Sequence, residues 1–224
     1  MKTGVQVAVS SVVGLAVLGL LLFVPAGTLN YWQAWVFMAV FTAATLAPAV
    51  YLGRTNPEAL RRRMHSGPQA EGRPIQKLII TVAFFALFAM TGFSALDHRM
   101  GWSSVPAAVC VLGDLLVAAG LGLAMLVVVQ NAYAAATVTV ESGQTLVTSG
   151  VYKYVRHPMY VGNIAIMAGI PLALGSYWGL LFAIPGVAVL VVRILDEERL
   201  LTAELSGYRD YTQRVRYRLV PYLW

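Results

Sequence analysis

The 224-residue sequence predicts an all-α integral membrane protein with about five to six transmembrane helices, the last two forming a short hairpin. Three observations carry this reading. Only 12% of the residues are charged and 58% are hydrophobic, against roughly 25% charged in ordinary soluble domains. Residues 3–53, 78–96, 115–140 and 158–192 contain no Asp, Glu, Lys or Arg, and a bilayer-crossing helix needs about 20 mostly apolar residues. The cations lie almost entirely between these runs.

Taken in order, the first span is 5–24. Its apolar part exceeds the roughly 7–15 residues of a signal-peptide core, and a second apolar run follows at once. "PAGTLNYW" supplies turn residues and interfacial aromatics before span two, 31–53. The stretch "RTNPEALRRRMHSGPQAEGRPIQK" is polar and strongly basic. Span three, 76–96, is followed by the short "DHRMGWSSVP" link and by span four, 105–130. A polar segment, 131–157, leads to two shorter apolar arms, 159–175 and 178–194, joined by "GSYWG". Both arms are short for a span, so a tilt or a kink at Pro171 or Pro185 is expected. The chain thus divides into an N-terminal set of transmembrane helices, 1–130, and a loop, hairpin and charged C-terminal segment, 131–224.

With six crossings, Lys2, the 54–77 loop, the 131–157 segment and the tail share one side, which holds every Lys and Arg except Arg99. The positive-inside rule makes that side cytoplasmic, with both termini on it. The formal charge of +6 is then accounted for by topology and anionic headgroups, and no nucleic-acid partner is expected. Lone Cys110 offers no disulfide. His65 and His98 read as isolated loop residues, so no metal site is expected. "GLGLAM" has two glycines of a dinucleotide fingerprint without the third or a preceding strand, and suits helix packing better than a Rossmann loop. Asp114, inside span four, is either a functional group or, the favoured reading, a polar contact to a neighbouring helix or small wet cavity.

The stretch "GVYKYVRHPMYVG", 150–162, gathers Lys153, Arg156, His157 and three tyrosines in front of an apolar run. Pro158 turns His157 away from helical geometry, so an irregular loop should end where a helix begins near Met159. Free backbone N–H groups and the positive end of the helix dipole favour an anionic group there. Tyr152, Tyr154 and Tyr160 would wall a ring or a cation. Taken alone, the stretch reads equally well as an interfacial anchor. The second constellation, "RILDEERLL", places Arg193 and Glu197 on one helix face. Because the hairpin turns the chain back, Glu197 returns to the side of His157.

Together, "LVTSGVYKYVRHPMYVG", the hairpin, "RILDEERLL" and "YRDYTQRVRYRLVP" resemble the isoprenylcysteine carboxyl methyltransferase family of integral membrane enzymes, over about residues 131–221. The resemblance implies S-adenosylmethionine as cofactor, bound without a Rossmann domain. It implies cofactor contacts from Gln144, Thr145, Leu146, Val147, Tyr152, His157, Pro158, Met159, Tyr160 and Glu197. Arg193 would face the methyl acceptor, and Arg156 and Arg193 are the candidate catalytic cations. The implied acceptor is lipophilic, an isoprenylcysteine-like carboxylate that enters from the bilayer. This chain has Gln144 where eukaryotic members carry His, and Thr137 where they carry Gln. Related enzymes that methylate phospholipid amines or small thiols, and some membrane sterol reductases, share parts of the His-Pro-x-Tyr signature. The methyl of a sulfonium is already activated, so catalysis is mainly positioning and desolvation. Lys153 is left to the membrane surface.

Overall fold

The computed structural model describes residues 2–64, 69, 71–134, 140 and 143–224. Thr137 and His65 lie outside them. The elements are α1 (Lys2–Ala26), α2 (Trp32–Thr55), α3 (Pro57–Met64), α4 (Pro74–Met100), α5 (Ala107–Gln130), α6 (Pro158–Ala173), α7 (Ala183–Glu204) and α8 (Tyr208–Arg214). Two 3₁₀ turns, Gly150–Lys153 and Trp178–Phe182, precede α6 and α7.

The protein is a multi-pass integral membrane protein. Among the described residues, five helical stretches are long and apolar enough to cross a bilayer: Val9–Ala26, α2, α4, α5 and Trp178–Glu204. At 1.5 Å per residue, α6 covers about 24 Å, short of the roughly 30 Å hydrocarbon core. The lipid-facing surface is apolar as this requires, with Val12, Leu20, Phe85 and Ile184 all exposed. Inside, Leu22, Tyr31, Phe37, Met90, Val117 and Ile170 form the main packed cluster.

Helices α5 and α6 pack antiparallel with their backbones in contact, and glycine makes this possible. A Cβ on Gly120 would lie 2.5 Å from the Gly162 carbonyl oxygen, and one on Gly169 2.7 Å from that of Gly113. In lipid, where apolar side chains gain little from meeting one another, such close approach drives association. Gly122, the other glycine of "GLGLAM", faces open space. Gly162→Leu should therefore lower stability by about 3 kcal/mol, read as a loss of thermal midpoint in detergent. An unchanged midpoint would contradict this interface.

The end of α4 corrects the sequence reading. Asp97 and His98 are the last turns of a helix rather than a link, and Asp97 is fully buried. The carboxylate is tolerated because Ser103 N (2.9 Å), Ser103 Oγ (2.6 Å) and Ser176 Oγ (2.5 Å) donate to it. His98 stacks on Tyr31 at 3.8 Å between ring centroids, and Tyr31 Oη donates to the Leu174 carbonyl at 2.5 Å. This polar knot ties the start of α2, the end of α4, the link that follows α4 and the hairpin turn together at one end of the bundle. Asp114 is buried and neither of its oxygens has a hydrogen-bond partner, so the expected polar contact to a neighbouring helix is not made.

Candidate active site

The start of α4, the end of α5, the start of α6 and the end of α7 meet at the opposite end of the bundle. The loop into α6 is pinned on α5. Gln130 Oε1 accepts from Val151 N at 3.0 Å, and Asn131 Nδ2 donates to Tyr152 Oη at 3.2 Å. Gly150, at φ 61°, lies against the Gln130 side chain, where a Cβ would collide. The tail then pairs with the loop main chain: Arg156 N donates to Tyr217 O and His157 N to Arg218 O, both at 2.9 Å. Pro158 opens α6, as its fixed φ and missing N–H favour.

Helix α7 runs unbroken to Glu204 and so brings Arg193, Glu197 and Glu198 to this end. Glu198 is a hub. It accepts from Arg156 Nε at 2.7 Å and from Arg218 Nε at 2.9 Å, and lies 3.2 Å from His157 Nε2. Arg156 also donates through Nη1 to the carbonyls of Val215 and Arg216, both at 3.0 Å. Its guanidinium is thus a clamp for the tail. Glu197 behaves differently: it accepts from Tyr160 Oη at 2.5 Å, keeps 23% of its side chain exposed and faces a cleft.

That cleft is lined by Gln144, Thr145, Leu146, Val147, Tyr152, His157, Pro158, Met159, Tyr160 and Glu197, the ten residues singled out for a cofactor in the sequence. Arg156 lines it as well. Arg193 is not among its lining residues. It sits behind Tyr160, donating through Nε to Tyr160 Oη at 3.0 Å, through Nη1 to Gln76 Oε1 at 2.9 Å and through Nη2 to Glu71 Oε1 at 3.1 Å. The hydroxyl of Tyr160 therefore stands between Arg193 and Glu197. Tyr154 is 70% exposed and does not wall the cleft, and Lys153 is exposed.

Sequence reasoning missed Asn131, Tyr133, Leu200, Leu201, Leu205, Tyr208 and Tyr211 of the lining. Leu200 and Leu201 continue the Glu197 face at i+3 and i+4, a signal available in the sequence. Tyr208 and Tyr211 are the same i, i+3 pair on α8, and burial raises both hydroxyl pKa values, with Glu198 and Glu197 adding to the rise at Tyr208. Both stay neutral donors. Tyr211 Oη donates to Tyr152 O at 2.8 Å, whereas buried Tyr208 Oη has no partner.

Fold and site together define a polytopic helical membrane protein whose polar cleft is built by one loop, a helical hairpin and a returning tail. Residues 108–208 match the family model described as phospholipid methyltransferase. Over this segment, a little under half of its length, the chain is similar to that family of membrane methyltransferases. It is 38% identical over 96 residues to methanethiol S-methyltransferase 2 of Bradyrhizobium diazoefficiens, covering 42% of this chain and 36% of that protein. It is 31% identical over 91 residues to a Delta(14)-sterol reductase of Mus musculus, covering 39% of this chain and 22% of that one. The chain thus spans well under half the length of either relative. A solved eukaryotic intramembrane Ras methyltransferase, isoprenylcysteine carboxyl methyltransferase, superposes over 99% of this chain and 86% of that one, with a TM-score of 0.49 and 16% identity.

Proposed function

We propose that this protein is an S-adenosylmethionine-dependent methyltransferase acting on a lipophilic acceptor at the cytoplasmic membrane face. The observation that carries the proposal is the composition of the cleft. Among the described residues one carboxylate, Glu197, faces it among hydroxyls (Thr145, Tyr152, Tyr208), an amide (Gln144) and apolar walls (Leu146, Val147, Met159, Leu201). S-adenosylmethionine fits this donor set. Glu197 would take the cofactor's ammonium or ribose hydroxyls, the unpartnered Tyr208 hydroxyl offers a donor, and the apolar walls would hold a purine. When bound, the cofactor supplies a methyl group on a sulfonium, and the residues around it orient and desolvate the reactants.

A lipophilic acceptor has an apolar route. A groove between α1 and α2, lined by Leu15, Leu18, Phe41, Leu46, Ala49 and Leu60, reaches the cluster of Leu52, Leu60 and Val128, against which Met159 of the cleft wall also packs. The likeness to a sterol reductase raises a second reading, a reductase using NADPH. The cleft argues against it. A pyrophosphate seeks cations, yet Arg156 is held by Glu198 and Glu197 presents a negative charge. An isoprenylcysteine-type carboxylate, the acceptor expected from the sequence, would have Arg193 as its counter-ion, and Arg193 already holds Glu71.

Calorimetry on the purified protein tests the proposal. S-adenosylhomocysteine should bind with micromolar or tighter affinity and NADPH should not, and labelled methyl should pass from the cofactor into a total lipid extract. NADPH binding without S-adenosylhomocysteine binding would refute it.

A further inference from the structure

We propose that an anionic phospholipid seats its headgroup phosphate between Lys153 on the loop and Arg214 and Arg216 on the tail, and thereby fastens the tail over the cleft. A pocket takes in these three cations together with Tyr154, Tyr217 and Tyr222, and it shares no lining residue with the cleft. All three cations are exposed. Among the described residues no Asp or Glu lines the pocket, and none of the three cations makes an ion pair. Another basic concavity, around Arg199, Arg209 and Arg218, contains Glu198, so part of its charge is already met. Three cations around one pocket repel each other when nothing lies between them. A phosphate answers them all: guanidinium forks pair with its oxygens, and an ammonium adds a mobile point charge.

Position selects a lipid over a soluble anion. Tyr154 stands just before Pro158, where α6 begins. Tyr154 is 70% exposed, and Tyr222 and Leu223 are exposed beside the same cations. Exposed aromatic rings next to Lys and Arg at the start of an apolar helix belong at headgroup level, where anionic lipids attract clustered cations. Among the described residues Tyr222 is the one non-glycine residue with a positive φ, 67°, and its ring lies 5.3 Å from that of Tyr217 between centroids. Backbone strain of this kind gathers at binding sites.

The pocket and the cleft are joined by residues 215–218. Val215, Arg216 and Tyr217 line the pocket. The carbonyls of Val215 and Arg216 accept from Arg156 Nη1 at 3.0 Å, and those of Tyr217 and Arg218 accept from the Arg156 and His157 N–H groups at 2.9 Å. Arg156 and His157 line the cleft. A phosphate held by Lys153 and the two tail arginines would tie loop to tail at a second point, and removing the repulsion should keep the main-chain pairing closed.

The test uses the full chain in nanodiscs of phosphatidylcholine alone, of phosphatidylcholine with phosphatidylglycerol, and of phosphatidylcholine with millimolar inorganic phosphate in the buffer. Hydrogen exchange at the Arg156 and His157 amides reads the loop–tail pairing. It should slow about tenfold with phosphatidylglycerol and stay unchanged with inorganic phosphate. Lys153→Gln/Arg216→Gln, both at exposed positions, should lose the slowing. Arg199→Gln/Arg209→Gln removes as much charge outside the pocket and should keep it. Equal exchange in the two lipid compositions overturns the proposal, and so does a loss of slowing in both double variants, which would mean net charge alone. Slowing by inorganic phosphate would make the pocket a soluble-anion site and overturn the lipid as its occupant. The effect on the cleft rests on the methyl-transfer reading: S-adenosylhomocysteine should bind about tenfold more tightly in the anionic discs. Slowed exchange with equal affinity overturns the coupling. Slowed exchange with no S-adenosylhomocysteine binding in any disc overturns the methyl-transfer reading and leaves the lipid site standing.

Discussion

Glu197→Gln is expected to weaken S-adenosylhomocysteine binding by about 10- to 100-fold, the loss of one charge-assisted hydrogen bond worth about 1.5–3 kcal/mol. The substitution is nearly isosteric. Its amide oxygen still accepts from Tyr160, so the chain Arg193–Tyr160–197 that orients the side chain persists. What disappears is, among the described residues, the one negative charge in the cleft lining. The fall should appear as a larger Kd in calorimetry with little change in thermal midpoint. Equal Kd values for variant and wild type would mean that the carboxylate does not meet the cofactor, and the cleft would need another ligand.

Glu198→Ala should act on stability rather than on the ligand. The carboxylate is the shared acceptor of Arg156 and Arg218 and lies against His157. The Arg156 side chain is 7% exposed, so removing its partner strands a buried charge. Breaking one member of a buried pair costs about 3–5 kcal/mol. Arg218, at 29% exposure, is better solvated and should add little. The tail should come loose as well, because Arg156 Nη1 holds it through the Val215 and Arg216 carbonyls. Trypsin should then cut at Arg214, Arg216 or Arg218 in the variant while wild type resists. Glu198→Asp should recover part of the loss. A variant as stable and as trypsin-resistant as wild type would contradict the hub.

Much of this was legible in the sequence, for definite reasons. The first three charge-free runs located α1, α2, α4 and α5 and the fourth located the hairpin, because a bilayer admits no unpaired charge cheaply, and the His-Pro step located the start of α6. Glu197 and the loop were joined correctly because a hairpin must return the chain to the face it left. Three features escaped. Asp97 read as a loop residue because its burial depends on Ser103 and Ser176, the second of them 79 positions away. Arg193 read as an open cation because nothing in its own helix announces Glu71 or Gln76, more than a hundred positions earlier. Tyr208 and Tyr211 carry no role in the cleft as read from the sequence, because they reach it only when the tail folds onto the loop, through partners 59 or more positions earlier. In each case the deciding partner is distant in sequence, and periodicity carries no information about it.

The pairing of the tail with residues 156 and 157 also has a consequence in time. A growing chain emerges N-terminus first, so Arg156 and His157 leave the insertion machinery before Glu198, Tyr217 and Arg218 have been made. At that moment Arg156 has not met Glu198, its counter-ion in the folded protein. Its charge then acts with the other cations of the loop to keep the start of α6 on its own side of the membrane. Only when α7 has crossed back and the tail has folded is Arg156 drawn inward and paired. The same cation thus serves first as an address for the hairpin and later as masonry of the cleft, which cannot close around a ligand until the hairpin is correctly inserted.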